Sequence, residues 1–299
     1  MTHVLAVSVS TGVPFSWNPL DDLQELFRFA FMRNAFAAGT AAAIACGVVG
    51  YFVVLRSLSF AAHALTQIGF AGATGALVAG VNPVYGLLLV NGAGAAVIGA
   101  VGRRERGRDV VVGVVQSAGL GLGLLFLALY RAQAAVPVLV GDVLGISSTQ
   151  VLVTVAAGAA IVVMVGVGFR PLLYASLDEE VAEARGVRVG AMSMLFLLVL
   201  ALTASVTAPI LGVLLTFALL VGPAATASLL AARPGRTVGL AVALSLVDVW
   251  VGLALSYWVD VPPSVFVTGL AFAGYLCARL WRSGVLRRGH GSTGRGAGT

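Results

Sequence analysis

From residue 34 to residue 281 the chain is apolar in blocks of about twenty residues, separated by short polar punctuation. A helix of ~20 apolar residues crosses ~30 Å of hydrocarbon. Blocks at 34–55, 61–80, 83–101, 110–130, 149–169, 191–207, 210–232, 237–258 and 263–281 therefore read as nine spans, eight if the weakest fails. The weakest is the second, which His63, Thr66 and Gln67 open and glycines interrupt. It is expected to be a broken helix lining a cavity. Pro209 and Pro223, with Gly212 between them, are expected to kink or break the seventh. Ahead of the first span, Asp21 to Arg33 mixes charge with Leu, Phe and Met at helical spacing, the pattern of an amphipathic helix lying in the interface.

The most polar insert between spans is Arg170 to Gly190, RPLLYASLDEEVAEARGVRVG. Ser176 followed by Glu179 reads as a capping box opening a helix over 176–186. Asp178, Glu179 and Glu180 then sit near its N-terminus and Arg185 near its end, each favourable to the helix dipole. Gly186 supplies a left-handed terminator. Leu177, Val181 and Ala184 are expected to form an apolar stripe behind the acidic face. Two readings fit: a solvated connector at the headgroups, or a helix that docks on another protein at the membrane surface.

Composition sharpens this picture. The chain is 59% hydrophobic and only 10% charged, against roughly 25% charged in soluble domains. This is the composition of an integral membrane protein, and 38 glycines fit helices that pack closely in lipid. Cys46 and Cys277 both lie in apolar blocks, which argues against a disulfide framework or a thiolate metal site. Residues 1–20 lack a basic n-region, so no cleavable signal peptide is expected. Residues 283–299, rich in Gly, Ser and Arg, read as a disordered tail. The net charge of +6 comes from arginines scattered through short loops. Alternating the spans from a cytoplasmic insert puts fifteen of the eighteen arginines inside, leaving Arg28, Arg33 and Arg131 outside. The positive-inside rule then predicts N-terminus out and C-terminus in.

Few groups within the spans could carry chemistry. His63 and Gln67, four apart, share one helix face; either they are hydrogen-bonded within the bundle or they meet a metal. Asp248 is the carboxylate deepest in a span. It is a functional candidate by position, or a group satisfied by neighbouring helices. Asp142 and Asp260 fall at outer ends of spans, where turn and cap roles are expected. There is no P-loop, no GxSxG element and no paired carboxylates, so nothing supports an enzyme. A gradient-driven carrier would show several intramembrane acids or recognisable repeats. The energy source is expected outside the chain.

Several segments together resemble one family. Residues 34–55 and RSLSFAAHALTQIGFAGATG (56–75), GDVLGI (141–146), DEEVAEARGV in the insert, and ILGVLLTFALLVGPAATASLL (210–230) are similar, in that order, to the permease subunits of ATP-binding-cassette importers for manganese, zinc and iron. The insert matches through Asp178, Ala182 and Gly186, the last segment through Gly212, Pro223 and the small residues after it, and Asp260 with Pro262 resembles the final outer loop. The resemblance implies an all-α polytopic permease domain over 34–282, like a type II ABC importer, in the cell membrane. It implies a homodimer, a separate cytoplasmic ATPase that binds and hydrolyses ATP, and an extracytoplasmic metal-binding protein, with no cofactor on this chain. The acidic helix would be the coupling element, through Asp178, Glu179, Glu180, Ala182, Arg185 and Gly186. Where the family has an Asp and a His four residues apart, this chain has His63 and Gln67. Loss of the carboxylate leans toward zinc over manganese. The alternative reading is an ion-gradient-driven carrier or channel using Asp248.

Overall fold

The computed structural model describes residues 28–102, 105–130, 141, 145–259 and 261–290. Among these, all regular structure is helical: α1 (Ala30–Leu55), α2 (Ser59–Val78), α3 (Pro83–Val101), α4 (Glu105–Tyr130), α5 (Ser148–Val167), α6 (Phe169–Leu177), α7 (Glu179–Ala184), α8 (Val189–Leu211), α9 (Val213–Leu230), α10 (Pro234–Val259) and α11 (Pro263–His290). Eight of them are long and apolar enough to cross a membrane. The ninth long helix is α2, which packs against α3 and α4 and also against α8 and α9. Neighbours rather than lipid surround it, so it tolerates Thr66, Gln67 and Thr74. A hydrocarbon-facing helix could not.

Successive long helices reverse direction. At one end of the bundle Phe52 of α1 meets Phe169 and Phe196, and Gly99 of α3 lies against Met194 of α8. At the other end Asn34 donates to the carbonyl of Ile146, and Gly141 lies against Leu211 and Gly212. The insert and the connection between α1 and α2 thus share one end. The hydrophobic core centres on α1, whose small residues let α5, α9 and α10 approach. A Cβ at Gly50 would collide with the carbonyl of Leu220 in α9, and one at Gly47 with the backbone of α10. Gly72 and Gly86 mark an equally close crossing of α2 and α3, where a Cβ on either would strike the other's carbonyl.

Three expectations are corrected and one is narrowed. First, α2 is one continuous helix; its glycines serve close packing rather than a break. Second, of the expected break positions Pro209, Gly212 and Pro223, it is Gly212 that separates α8 from α9, at positive φ (86°). Pro209 sits in the last turn of α8, and Pro223 lies inside α9 without ending it. Third, the Ser176–Glu179 capping box does not form. Ser176 is inside α6 and donates to the carbonyl of Leu172. Asp178 is the N-cap of α7, its Oδ1 accepting from the Val181 amide at 3.0 Å. The insert is thus two short helices joined at Asp178 rather than one helix over 176–186. Fourth, the apolar stripe points outward: Leu177 is 64% and Val181 43% exposed, whereas Ala182 is buried against Ala175 and Val189. Gly186 does adopt the left-handed terminator conformation, at φ 79°. At the C-terminal end α11 continues to His290, into the segment expected as a tail. Asp142, Asp260 and the interfacial segment before residue 28 lie outside the described residues.

Substituting Gly72 or Gly86 by Val is expected to destabilise the α2–α3 crossing by about 1–3 kcal/mol, as overpacking does; a lowered melting temperature in detergent would show it. Replacing Asp178 by Ala removes the α7 cap, about 1 kcal/mol. Hydrogen exchange at the Val181 amide should accelerate by roughly fivefold.

Candidate functional site: a polar seam through an apolar bundle

Polar side chains inside the bundle form a seam of two separate hydrogen-bonded groups, one joining α3 to α8 and the other joining α2 to α4. It begins at the end opposite the insert, where a cavity of about 340 Å³ opens between α3, α5 and α8. Its polar lining includes Asn82, Tyr85, Gln150, Thr154 and Ser205, and Pro209 forms part of its wall. Ser205 donates to the carbonyls of Leu87 and Ala201 and accepts from Asn91 Nδ2 at 2.9 Å. Asn91 is 1% exposed, and its Oδ1 has no hydrogen-bond partner. An unfilled buried acceptor costs about 1–3 kcal/mol, so this carbonyl is primed to accept a donor or a cation. It lies where Gly69 of α2 leaves room: a Cβ there would come within 2.9 Å of the amide.

On a different face of α2 from Gly69, Gln67 is the centre of a three-residue ladder. Gln116 Nε2 of α4 donates to Gln67 Oε1 at 2.5 Å, and Gln67 Nε2 stands 3.1 Å from His63 Nε2. With its oxygen engaged, Gln67 donates to the imidazole, which puts the ring hydrogen on Nδ1. Nδ1 is buried and has no hydrogen-bond partner. The ring packs edge-on against Phe217, centroids 4.6 Å apart. Phe217 lies five residues beyond Gly212, about 7 Å along α9 from the break. His63 is the fifth residue of α2, about 6 Å along that helix from the end it shares with the insert.

Asp248 is placed elsewhere, on α10, buried and with no hydrogen bond among the described residues. One turn earlier Ser245 Oγ is likewise buried and unpartnered. Neither joins the seam. Among the described residues no three of His, Cys, Asp and Glu gather into a metal cluster. The seam is instead an imidazole and neutral carboxamides, able to offer one nitrogen and a few hard oxygens but no fixed charge.

Gln116, Asn91 and Ser205 were not singled out from sequence. The available signal was their rarity: each puts a polar side chain into an otherwise apolar block.

At the other end the insert exposes Glu179, Glu180 and Glu183 beside Leu177 and Val181. It is held from beneath by Ala182 and by Arg185, whose guanidinium lies 4.6 Å from the centre of the Tyr174 ring. The fold thus joins an exposed acidic and apolar platform at one end to a polar seam rising toward the other.

Comparison with known proteins gives a consistent result. The chain is 28% identical over 237 residues to the manganese transport system membrane protein MntC of Listeria innocua, covering 79% of this chain and 85% of the relative. It is 26% identical over 244 residues to the manganese import system permease protein ScaB of Streptococcus parasanguinis, covering 81% and 86%. Among solved structures it resembles PsaBC from Streptococcus pneumoniae in complex with Fab, with a TM-score of 0.78 and 25% identity, covering 87% of this chain and 94% of that one. The family model described as the ABC 3 transport family matches residues 28–282, essentially the whole described bundle. This multi-pass membrane protein belongs to the ABC 3 transport family.

Proposed function

We propose that the chain is the permease subunit of an ATP-binding-cassette importer that moves a divalent metal ion, manganese or zinc, from an extracytoplasmic binding protein to the cytoplasm. The observation that carries this reading is the polar seam: two hydrogen-bonded groups, Ser205–Asn91 beside an open cavity and Gln116–Gln67–His63 on α2 and α4, lie within a bundle that lipid would otherwise penalise for each of them. Relatives named for manganese support the metal cargo. The imidazole and amides at His63 and Gln67 suit zinc at least as well. Metal import gives the unfilled His63 Nδ1 a use. If both amides of the ladder reverse, Nε2–H donates to Gln67 Oε1 and Nδ1 becomes free to ligate, the outer-shell support usual for a metal-bound histidine. Gln67 and Gln116 then orient the ligand rather than bind metal themselves. Weak ligation of this kind suits a transient stop, since conduction requires release as well as entry.

Alternating access is the mechanism in this reading, with two copies of the chain and two cytoplasmic ATPases; ATP hydrolysis belongs to the partner. The insert is the coupling element, facing the cytoplasm with the C-terminus, and the N-terminus faces outward. Leu177 and Val181 support docking, because apolar side chains exposed on a solvated platform mark interaction sites. A buried acidic partner site is unnecessary: the carboxylates flank this apolar contact and select a basic surface.

His63→Ala is expected to lower metal uptake into proteoliposomes about tenfold or more, a loss of ~1.4 kcal/mol at the limiting step; wild-type uptake would return His63 to a packing role. Reversing Asp178, Glu179 and Glu180 together to Lys should abolish stimulation of the partner ATPase while leaving membrane insertion intact. Retained stimulation would overturn the coupling role.

A further inference from the structure

The connection between α1 and α2 holds a cation that the seam and the platform do not account for. Arg56 caps the C-terminus of α1, and the next residue, Ser57, is the one non-glycine with positive φ among the described residues (53°). The turn is thus pinned in a conformation that L side chains rarely adopt. From it the Arg56 guanidinium crosses to α8, where Nη2 donates to Ser193 Oγ at 2.5 Å, and the group lies 5.6 Å from the centre of the Phe196 ring. Phe196 packs edge-on against Phe52 of α1, centroids 6.1 Å apart, and Phe52 packs edge-on against Phe169, the first residue of α6, at 5.4 Å. An unbroken file of contacts therefore runs from the base of the insert to α8. That helix ends at Pro209 and Gly212, beside the cavity.

The guanidinium is also incompletely satisfied. Nη1 is buried with no hydrogen-bond partner. Burial pulls the basicity of Arg56 down, the charge of Arg108 pulls the same way, and Glu179, at the start of α7, pushes it back up. One donor is thus open on a side chain that already senses a carboxylate of the insert, in a setting where a further charge-assisted bond is favoured.

We infer that Arg56 is a positioning residue that transmits displacement of the α6–α7 platform to α8, holding Ser193 in the conformation seen here and keeping Nη1 open for an acceptor that the moving platform brings. This rests on the reading of the insert as the coupling element. It adds that the signal enters the bundle through the α1–α2 turn as well as along the chain from α7 into α8.

The test uses the permease–ATPase complex in proteoliposomes, with Mn²⁺ and Zn²⁺ as probes. Three readouts are made: ATPase co-purification, ATP hydrolysis, and metal moved per ATP consumed. Arg56→Gln should keep co-purification at the wild-type level and lower metal moved per ATP about fivefold or more, the scale of a typical coupling energy. Ser193→Ala, which deletes one acceptor hydroxyl from an otherwise intact helix, should lower the same ratio about twofold, and Arg56→Gln with Ser193→Ala should be no worse than Arg56→Gln alone. An unchanged ratio in both single variants overturns the inference while leaving the coupling role of the insert standing. Loss of co-purification in Arg56→Gln also overturns it, because Arg56 would then act in assembly. Failure of the wild-type chain to bind any ATPase overturns the underlying reading itself.

Discussion

A polar group inside the hydrocarbon must find a protein partner, because water cannot supply one. That constraint explains where α2 sits. Its face with His63, Gln67 and Thr66 would be costly against lipid, so the other long helices enclose it, and the enclosure in turn demands close backbone approach. Gly72 against Gly86, and Gly69 beneath Asn91, are how the approach is achieved. Polar groups and close backbone approach thus occur together on α2.

The unfilled valences follow from the same constraint. Asn91 Oδ1 and His63 Nδ1 are buried without partners at two levels of the bundle. In a static core each would be a defect. In the proposed pathway they would be the places where a partly dehydrated cation exchanges its water for protein ligands. At the opposite end, Arg56 shows the same economy with the sign reversed, a buried donor awaiting an acceptor. The three sites lie on elements that the insert reaches directly or through α8.

The span count and the all-helical class were legible in sequence because apolar blocks of span length have one common explanation in a chain this poor in charge. The position of the insert was legible from its charge, as was the left-handed Gly186. What failed was local. A Ser-x-x-Glu pattern invited a capping box at Ser176, but Asp178 was the stronger cap two residues on, and α6 had already claimed the serine. Glycines in the second block suggested a break that does not form, whereas the one expected around Pro209 and Gly212 does. A glycine can either disrupt a helix or let another helix close on it, and only tertiary context decides. Leu177 and Val181 lie outside for a similar reason: periodicity defines a stripe, not the partner it faces. Gln116 was missed because its role depends on a contact across 49 residues of sequence.

The central claim is that ATP hydrolysis on a partner, acting through the insert, drives a metal ion past His63. The most direct measurement is metal uptake by proteoliposomes containing the permease and its ATPase, with ATP supplied or withheld and proton and sodium gradients imposed or collapsed. Uptake that requires ATP and is indifferent to the gradients is the predicted result. Uptake that a gradient drives without ATP, and that Asp248→Asn abolishes, would contradict it.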